Sequence, residues 1–402
     1  MQRRDFIKII GVTSSVIFVP SILNASDNKY MDNYYCDDDV LNTWNGHNIE
    51  EKDIRIKVLS YAILAPNPHN KQSWLVNLKS DDTIELYVDQ TRLLPQSDPY
   101  HRQIHIGQGT FLENLVISST HFGYKATIIY FPKGEYGNKV IENKPIASIT
   151  LEKDISIKKD KLFDSILKRH SNKREYEDKI VDLDQMTELE NTVNNISNDD
   201  YSLKFENNEE MISSFRKIAV NAMEIESANL KANLETIEMF RFNNDEVEKY
   251  KDGFSLAQSG KSSLARFFIE NFFLSREKAL KDPIEFGKTA IDMTQNQVDS
   301  TKTFGTLTTK NNKRRDQVKI GRVYARLNLL VTSMGLVMHP ISQVLQEYSD
   351  MKDLQADFLS ITNTKKDETV QMLFRLGYAK RTEHSPRRGV KDMIIDSNYS
   401  IS

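Results

Sequence analysis

Residues 106–120 read IGQGTFLENLVISST, and residues 320–334 read IGRVYARLNLLVTSM. At a constant offset of 214 they share an Ile-Gly start and an Asn-Leu pair, Asn114-Leu115 and Asn328-Leu329. Apolar residues recur through both at helical spacing. The spacing predicts helices over 104–123, entered through Gly107 and Gly109, and over 318–338. Two like helices this far apart in one chain point to two related halves packed about a pseudo-twofold axis.

Around this pair the pattern alternates between helix and strand. Residues 51–65 (EKDIRIKVLSYAILA) carry one broad apolar face and stop at Pro66 and Pro68, which predicts a helix. TIELYVD (83–89) alternates Ile84, Leu86 and Val88 as a half-buried strand does. KATIIYFP (125–132), IASITLE (146–152) and VQMLFRLGY (370–378) also read as strands, and KLFDSILKR (161–169) as a helix. Residues 183–300 are charged, poor in glycine and mostly helical by pattern. The expected fold is α+β, each half burying apolar helices against an antiparallel-dominated sheet in a three-layer arrangement.

With 402 residues the chain has room for two domain-sized units. At 39% hydrophobic and 28% charged residues, the composition is that of a globular protein and excludes a disordered chain or a multispan membrane protein. A net charge of −3 gives no basic excess for nucleic acid. One cysteine, Cys36, excludes an intramolecular disulfide framework and multi-cysteine zinc or iron–sulfur sites.

The N-terminus opens MQRRDFIK, with Arg3-Arg4 ahead of an apolar run from Ile9 to Leu23 and a small-residue end at Asn24-Ala25-Ser26. Residues 1–26 read as a twin-arginine export signal, with cleavage expected after Ala25 and an uncleaved anchor as the alternative. The run is short for a membrane span, which needs about 20 residues. Cleavage would leave a mature charge of −5 and a periplasmic or otherwise extracytoplasmic protein, with the twin-arginine translocase as a partner during export. Residues 27–50, polar with an acidic run at 37–39, read as a tether.

Three clusters could carry chemistry. Ala65-Pro66-Asn67-Pro68-His69-Asn70-Lys71-Gln72-Ser73-Trp74 is a polar loop between a helix and a strand. The amides of Asn70 and Gln72 can read the edge of a planar heterocycle, although an ordinary turn before a core tryptophan accounts for the same letters. Arg169-His170-Ser171-Asn172-Lys173-Arg174 gathers three fixed cations, a hydroxyl and a histidine, suited to phosphate or to a solvated basic turn. Ser385-Pro386-Arg387-Arg388 adds a second arginine pair, either meeting the first around one phosphate or forming a basic tail. No phosphate-loop, dinucleotide-binding or nucleophile-elbow pattern is present in the sequence. His101 and His105 have i, i+4 spacing but no obvious third ligand, so no metal site is assigned.

Together these clusters resemble the nitroreductase-like flavoprotein family, and most closely its exported, dormancy-associated Acg-type branch. APNPHNKQSW (65–74) is similar to the family's Ala-Pro-x-x-x-Asn-x-Gln-Pro-Trp segment, and RHSNKREY (169–176) to its phosphate segment. RLLPQSDPYHRQIHIGQGTFLENL (92–115), LFRLGY and SPRR (373–388) resemble further stretches in the same order, so that the likeness spans about residues 55–395. Ser73 stands where the family has proline, and Lys173 where it has a second arginine.

The resemblance implies a three-layer nitroreductase-like fold with two halves fused in one chain, residues 51–155 and 156–402, and a helical lid inserted at about 205–305. It implies one FMN site per monomeric chain. Arg169, Ser171, Lys173, Arg387 and Arg388 would hold the phosphate and ribityl chain, Asn70 and Gln72 would approach the flavin ring, and Arg174 would be an accessory cation. No catalytic acid or base is assigned. The implied activity is two-electron reduction of a nitro or quinone-like acceptor through bound FMN. The electron donor stays open, because NAD(P)H is not expected outside the cytoplasm. A non-catalytic flavin-sequestering protein closed by its lid is the alternative, and a helical interaction protein with surface basic clusters is a third reading.

Overall fold

The computed structural model describes residues 38–197, 200–262, 265–266 and 269–395. Residues 1–26, expected to be an export signal, and Cys36 lie outside these residues.

Helix α1 (Ile54–Ala62) is capped by the Asp53 carboxylate, which accepts from the Arg55 N–H, and it stops before Pro66 as the sequence requires. Strands β1 (Trp74–Ser80) and β2 (Thr83–Val88) form a hairpin. Helix α2 (Arg102–His121) then leads to β3 (Tyr124–Tyr130) and β4 (Ala147–Lys153). These four strands make an antiparallel sheet in the order β1-β2-β4-β3. The second half begins with α3 (Leu183–Ser197) and β5 (Tyr201–Glu206). A long helical insertion follows, with α4 (Glu209–Ala228), α5 (Leu230–Met239), α6 (Asn244–Tyr250), α7 (Arg276–Lys281) and α8 (Pro283–Asp299). The chain continues through β6 (Thr303–Thr309), α9 (Arg314–Ser333), β7 (Val337–Pro340), α10 (Lys352–Ile361) and β8 (Thr369–Gly377). The second sheet, also antiparallel, has the order β5-β6-β8-β7, which repeats the first.

Helices α2 and α9 meet at glycine. A Cβ on Gly109 would collide with the Val318 carbonyl oxygen and lie 2.9 Å from the Gly321 Cα; one on Gly321 would collide with the Ile106 carbonyl oxygen and lie 3.0 Å from the Gly109 Cα. Both collisions obey an offset of 212, and so do the ends of the two helices, Arg102 with Arg314 and His121 with Ser333. The sequence alignment at 214 is therefore two residues out, because shared letters at the helix start outweighed the spacing of the contact. The first arginine of each helix is buried and crosses to the other half. Arg102 donates to the carbonyls of Leu345 and Gln371, while Arg314 donates to those of Tyr100 and Gly137. Glu113 on α2 pairs with Arg322 and Arg326 on α9. Most residues of α2 are buried, as expected of a helix wrapped on all sides.

Two boundaries differ from the sequence reading. Residues 38–45 are not tether: they form helical turns, with Val40 and Trp44 buried. Trp44 stacks on His384 at 3.8 Å between ring centroids and donates its indole N–H to the Ser385 carbonyl at 2.9 Å. Trp44→Ala is expected to lower stability by about 3 kcal/mol, read by urea denaturation; an unchanged midpoint would return this segment to a tether.

The stretch at 205–305 is not all cover. Its ends belong to paired strands, and α4 buries Ile212, Phe215, Ile218 and Ala222 in the core that backs the second sheet with Phe304 and Phe358. Only the middle, with Ile237, Phe240, Phe242 and Leu256, forms a small cluster of its own. After β8 the tail returns to the first half, where Ile394 bridges Val76 and the Ile395 N–H donates to the Val76 carbonyl. That return brings Arg387 back to α1.

Candidate functional site

The loop after α1 is held in an unusual backbone. His69, Asn70 and Gln72 all have positive φ, at 50°, 52° and 54°. Each such non-glycine residue costs about 1–3 kcal/mol and persists only where the surroundings over-determine it. Here Asn67 Oδ1 accepts from the Gln72 N–H at 2.8 Å. Asn70 Nδ2 donates to the carbonyls of Gly253 and Pro386, and its Oδ1 accepts from Arg387 Nη1 at 2.7 Å. Gln72 Nε2 donates to the Lys251 carbonyl at 2.9 Å, and its Oε1 accepts from the Arg388 N–H at 2.8 Å.

A cavity of about 340 Å³ lies against this loop, the 169–173 loop, residues 253–259 of the insertion and the inner side of α8. That volume is in the range of small-molecule sites. Of the residues expected at a cofactor, Asn70, Arg169, Ser171, Lys173 and Arg387 line it. Gln72, Arg174 and Arg388 do not. Gln72 is fully buried and its amide is taken by backbone. Arg174 packs on Gly260, where any Cβ would collide with it. Arg388 turns toward Asp89 and the Asp392 carbonyl.

The lining cations are not equivalent. Arg387 donates from Nε to the Ile63 carbonyl at 2.9 Å and from Nη2 to those of Leu64 and Ala65. These carbonyls belong to Ile63, which caps α1, and to the two residues after it, so Arg387 ties down the chain as it leaves that helix and all its nitrogens are used. Arg169 donates Nη2 to the Leu64 carbonyl at 3.2 Å, while its Nε and Nη1 have no partner among the described residues. Its guanidinium lies over the Trp44 ring, and burial pulls it down to about 10, so it remains a cation at neutral pH. Lys173 retains some exposure, its Nζ lies 4.0 Å from the Phe254 ring centroid, and burial pulls its ammonium down to about 8. Neither Arg169 nor Lys173 has a carboxylate at ion-pair distance among the described residues. Buried cations without a countercharge are costly unless an anion joins them.

Other lining residues were not singled out by sequence. His69 is pulled down to about 4 by burial, then by Lys173 and Lys71, and is neutral at pH 7. His339 is held well below the ordinary histidine range by burial and by Arg375, and its Nδ1 lies 3.1 Å from Arg375 Nη2. Arg375, fully buried, also donates to the carbonyls of Asn172 and Arg174 and so shapes the 169–174 loop from beneath. An arginine inside the apolar run LFRLGY was the signal that could have found it. Phe240, Phe254, Phe286 and Met293 of the insertion supply apolar wall.

The insertion is tied down around this cavity. Asp252 pairs with both Arg92 and Arg241. Glu235 accepts from the N–H groups of Gln96 and Ser97 and from the Ser97 hydroxyl. The Lys173 N–H donates to the Gln258 carbonyl, and its own carbonyl accepts from Gln297.

No protein-family model matches the chain. Two curated relatives are the uncharacterized proteins MT3212 and Rv3127 of Mycobacterium tuberculosis, strains CDC 1551 / Oshkosh and ATCC 25618 / H37Rv. Each is 32% identical over 94 residues, 22% of this chain, and the chain spans 27% of the length of these relatives. The similar solved structures are nitroreductase-like and FMN-binding proteins. They include a nitroreductase with bound FMN from Bacteroides fragilis, 11% identical, covering 57% of this chain and 97% of that one at a TM-score of 0.32. An iodotyrosine deiodinase bound to FMN and 3-iodo-L-tyrosine is 13% identical and covers 60% of this chain and 100% of that one at 0.34. An FMN and NADPH-dependent nitroreductase from sphigopyxis sp. strain HMH is 11% identical and covers 59% of this chain and 99% of that one at 0.36.

Proposed function

We propose that this chain is an exported, nitroreductase-like FMN-binding oxidoreductase whose two halves are fused counterparts of one another. The observation that carries the reading is the set of buried cations lining a largely apolar cavity, with Arg169 Nε and Nη1 unpartnered and no carboxylate at ion-pair distance among the described residues. A phosphate supplies the missing charge and the missing acceptors. Arg169, Ser171 and Lys173 would hold the phosphate, and Arg387 would add charge while keeping its bonds to α1. When bound, FMN supplies two-electron transfer to a nitro or quinone-like acceptor. The protein's part is to bind, to orient and to keep water from the apolar body of the cavity, where Phe254 and its neighbours in 253–259 would act as the cover.

The amides of Asn70 and Gln72 act on that cover by bonding its backbone at Gly253 and Lys251. This favours a second reading, flavin sequestration under a latched lid. NADH and NADPH oxidation with a nitroaromatic acceptor, with and without oxygen, separates the two. Turnover well above that of free FMN is expected for the reductase, and its absence in FMN-loaded protein would leave sequestration.

The binding should depend on pH through Lys173. A phosphate favours the charged ammonium, whereas in the free protein this group loses its proton near 8. FMN affinity should therefore hold to neutral pH and fall as pH rises through about 8, with Lys173→Met removing most of the fall. Fluorescence titration at pH 7 and pH 9 is the check, and a flat profile would take Lys173 away from the phosphate.

A further inference from the structure

The cavity has a second polar end, on the insertion. In α4 the buried residues Ile212, Phe215, Ala219 and Ala222 form one stripe, and the next position of that stripe is Glu226. A carboxylate takes the place of an apolar residue there. Glu226 is 4% exposed, lines the cavity, and has no cation at ion-pair distance among the described residues. Its Oε2 accepts from Gln346 Nε2 at 2.9 Å and its Oε1 from the Thr236 hydroxyl at 3.2 Å. A carboxylate has about four acceptor directions, so these two bonds leave it half used. Gln346, also a lining residue and 5% exposed, has its Oε1 unpartnered among the described residues. Met223, Leu274, Phe286 and Met293 supply apolar wall in the same cavity.

We propose that this end is a subsite for the cationic head, a protonated amine or a similar organic cation, of a small molecule with an apolar body. The inference rests on the reading of the cavity as a place where cofactor and acceptor meet, and it names the class of acceptor. Arg169, Lys173 and Arg387 line the same cavity, so its lining carries both cations and a carboxylate that does not pair with them. An anionic group is drawn to the arginine end and a cationic group to Glu226, and the insertion thereby selects by charge.

The test is a series of one shape and three charges: 4-nitrobenzylamine, 4-nitrobenzyl alcohol and 4-nitrobenzoate, titrated by calorimetry into the full chain as purified, with flavin content measured on the same sample. The amine should bind at least tenfold more tightly than the alcohol, and the benzoate, drawn to the arginines, should not lose affinity in Glu226→Gln. In Glu226→Gln the amine and the alcohol should come within threefold of each other. An alcohol that matches or exceeds the amine in the unsubstituted protein would overturn the proposal, and so would an amine preference that survives in a folded Glu226→Gln variant. If that variant does not fold, the ranking in the unsubstituted protein decides alone. Flavin content reports the cofactor reading separately. Colourless protein with the expected ranking keeps the subsite and loses the flavin, and yellow protein without the ranking does the reverse.

Discussion

Gly109→Ala should destabilise the chain by about 3 kcal/mol or more, although alanine is the better helix former by about 1 kcal/mol. The sign is set by what the new methyl group meets. It would enter the Val318 carbonyl oxygen and approach the Gly321 Cα to 2.9 Å, and both obstacles are backbone of the facing helix. Backbone cannot rotate aside, so α2 and α9 would have to separate. That separation would loosen the crossings of Arg102 and Arg314 and the Glu113 pairs with Arg322 and Arg326. Gly321→Ala should behave alike, since its methyl group would enter the Ile106 carbonyl. Gly137→Ala is the control, because a Cβ there meets nothing within 4 Å. Urea denaturation of the three variants decides: if Gly109→Ala matches the control, the two helices do not touch as described.

The second large effect separates two arginines that the sequence treats alike. Arg169→Leu should weaken FMN binding by about 100-fold, or roughly 2.7 kcal/mol, because Nε and Nη1 are donors without a partner among the described residues. Its fold should survive, since the substitution gives up one hydrogen bond, from Nη2 to the Leu64 carbonyl, and the cation's contact with the Trp44 ring. Arg387→Leu should instead unfold the region, at a cost of about 3–5 kcal/mol, because it strips partners from the carbonyls of Ile63, Leu64 and Ala65 and from Asn70 Oδ1. Thermal melts and FMN titration on both variants are the measurements. The opposite assignment, with Arg387→Leu stable and blind to FMN, would make Arg387 the phosphate ligand and Arg169 the structural residue.

How far the sequence could be read follows from where its signals lie. Helices α2 and α9 were legible because nearly every turn is apolar, and the expected 104–123 falls close to Arg102–His121. Strand β6, TFGTLTT, was missed because its threonines look polar, yet Thr303, Thr306 and Thr309 are buried within the second sheet. The four-residue β7 is too short to show alternation. Trp44 sits in a polar stretch, and its place is fixed by His384 and Ser385 more than 300 residues away.

The cation clusters were visible as letters, and Arg169, Ser171, Lys173 and Arg387 do meet at one cavity. What each does there was not visible. The carbonyls at the end of α1 claim Arg387, Gly260 takes Arg174, and the backbone of the insertion takes the Gln72 amide. Such partners lie far away in the chain, and only the folded geometry names them.

The most direct test of the account is the visible absorption spectrum of the purified chain, followed by release of any bound molecule and its identification by mass. Flavin bands and FMN at close to one per chain are expected, or uptake to that level when FMN is added. A colourless protein that also fails to take up added FMN would contradict it.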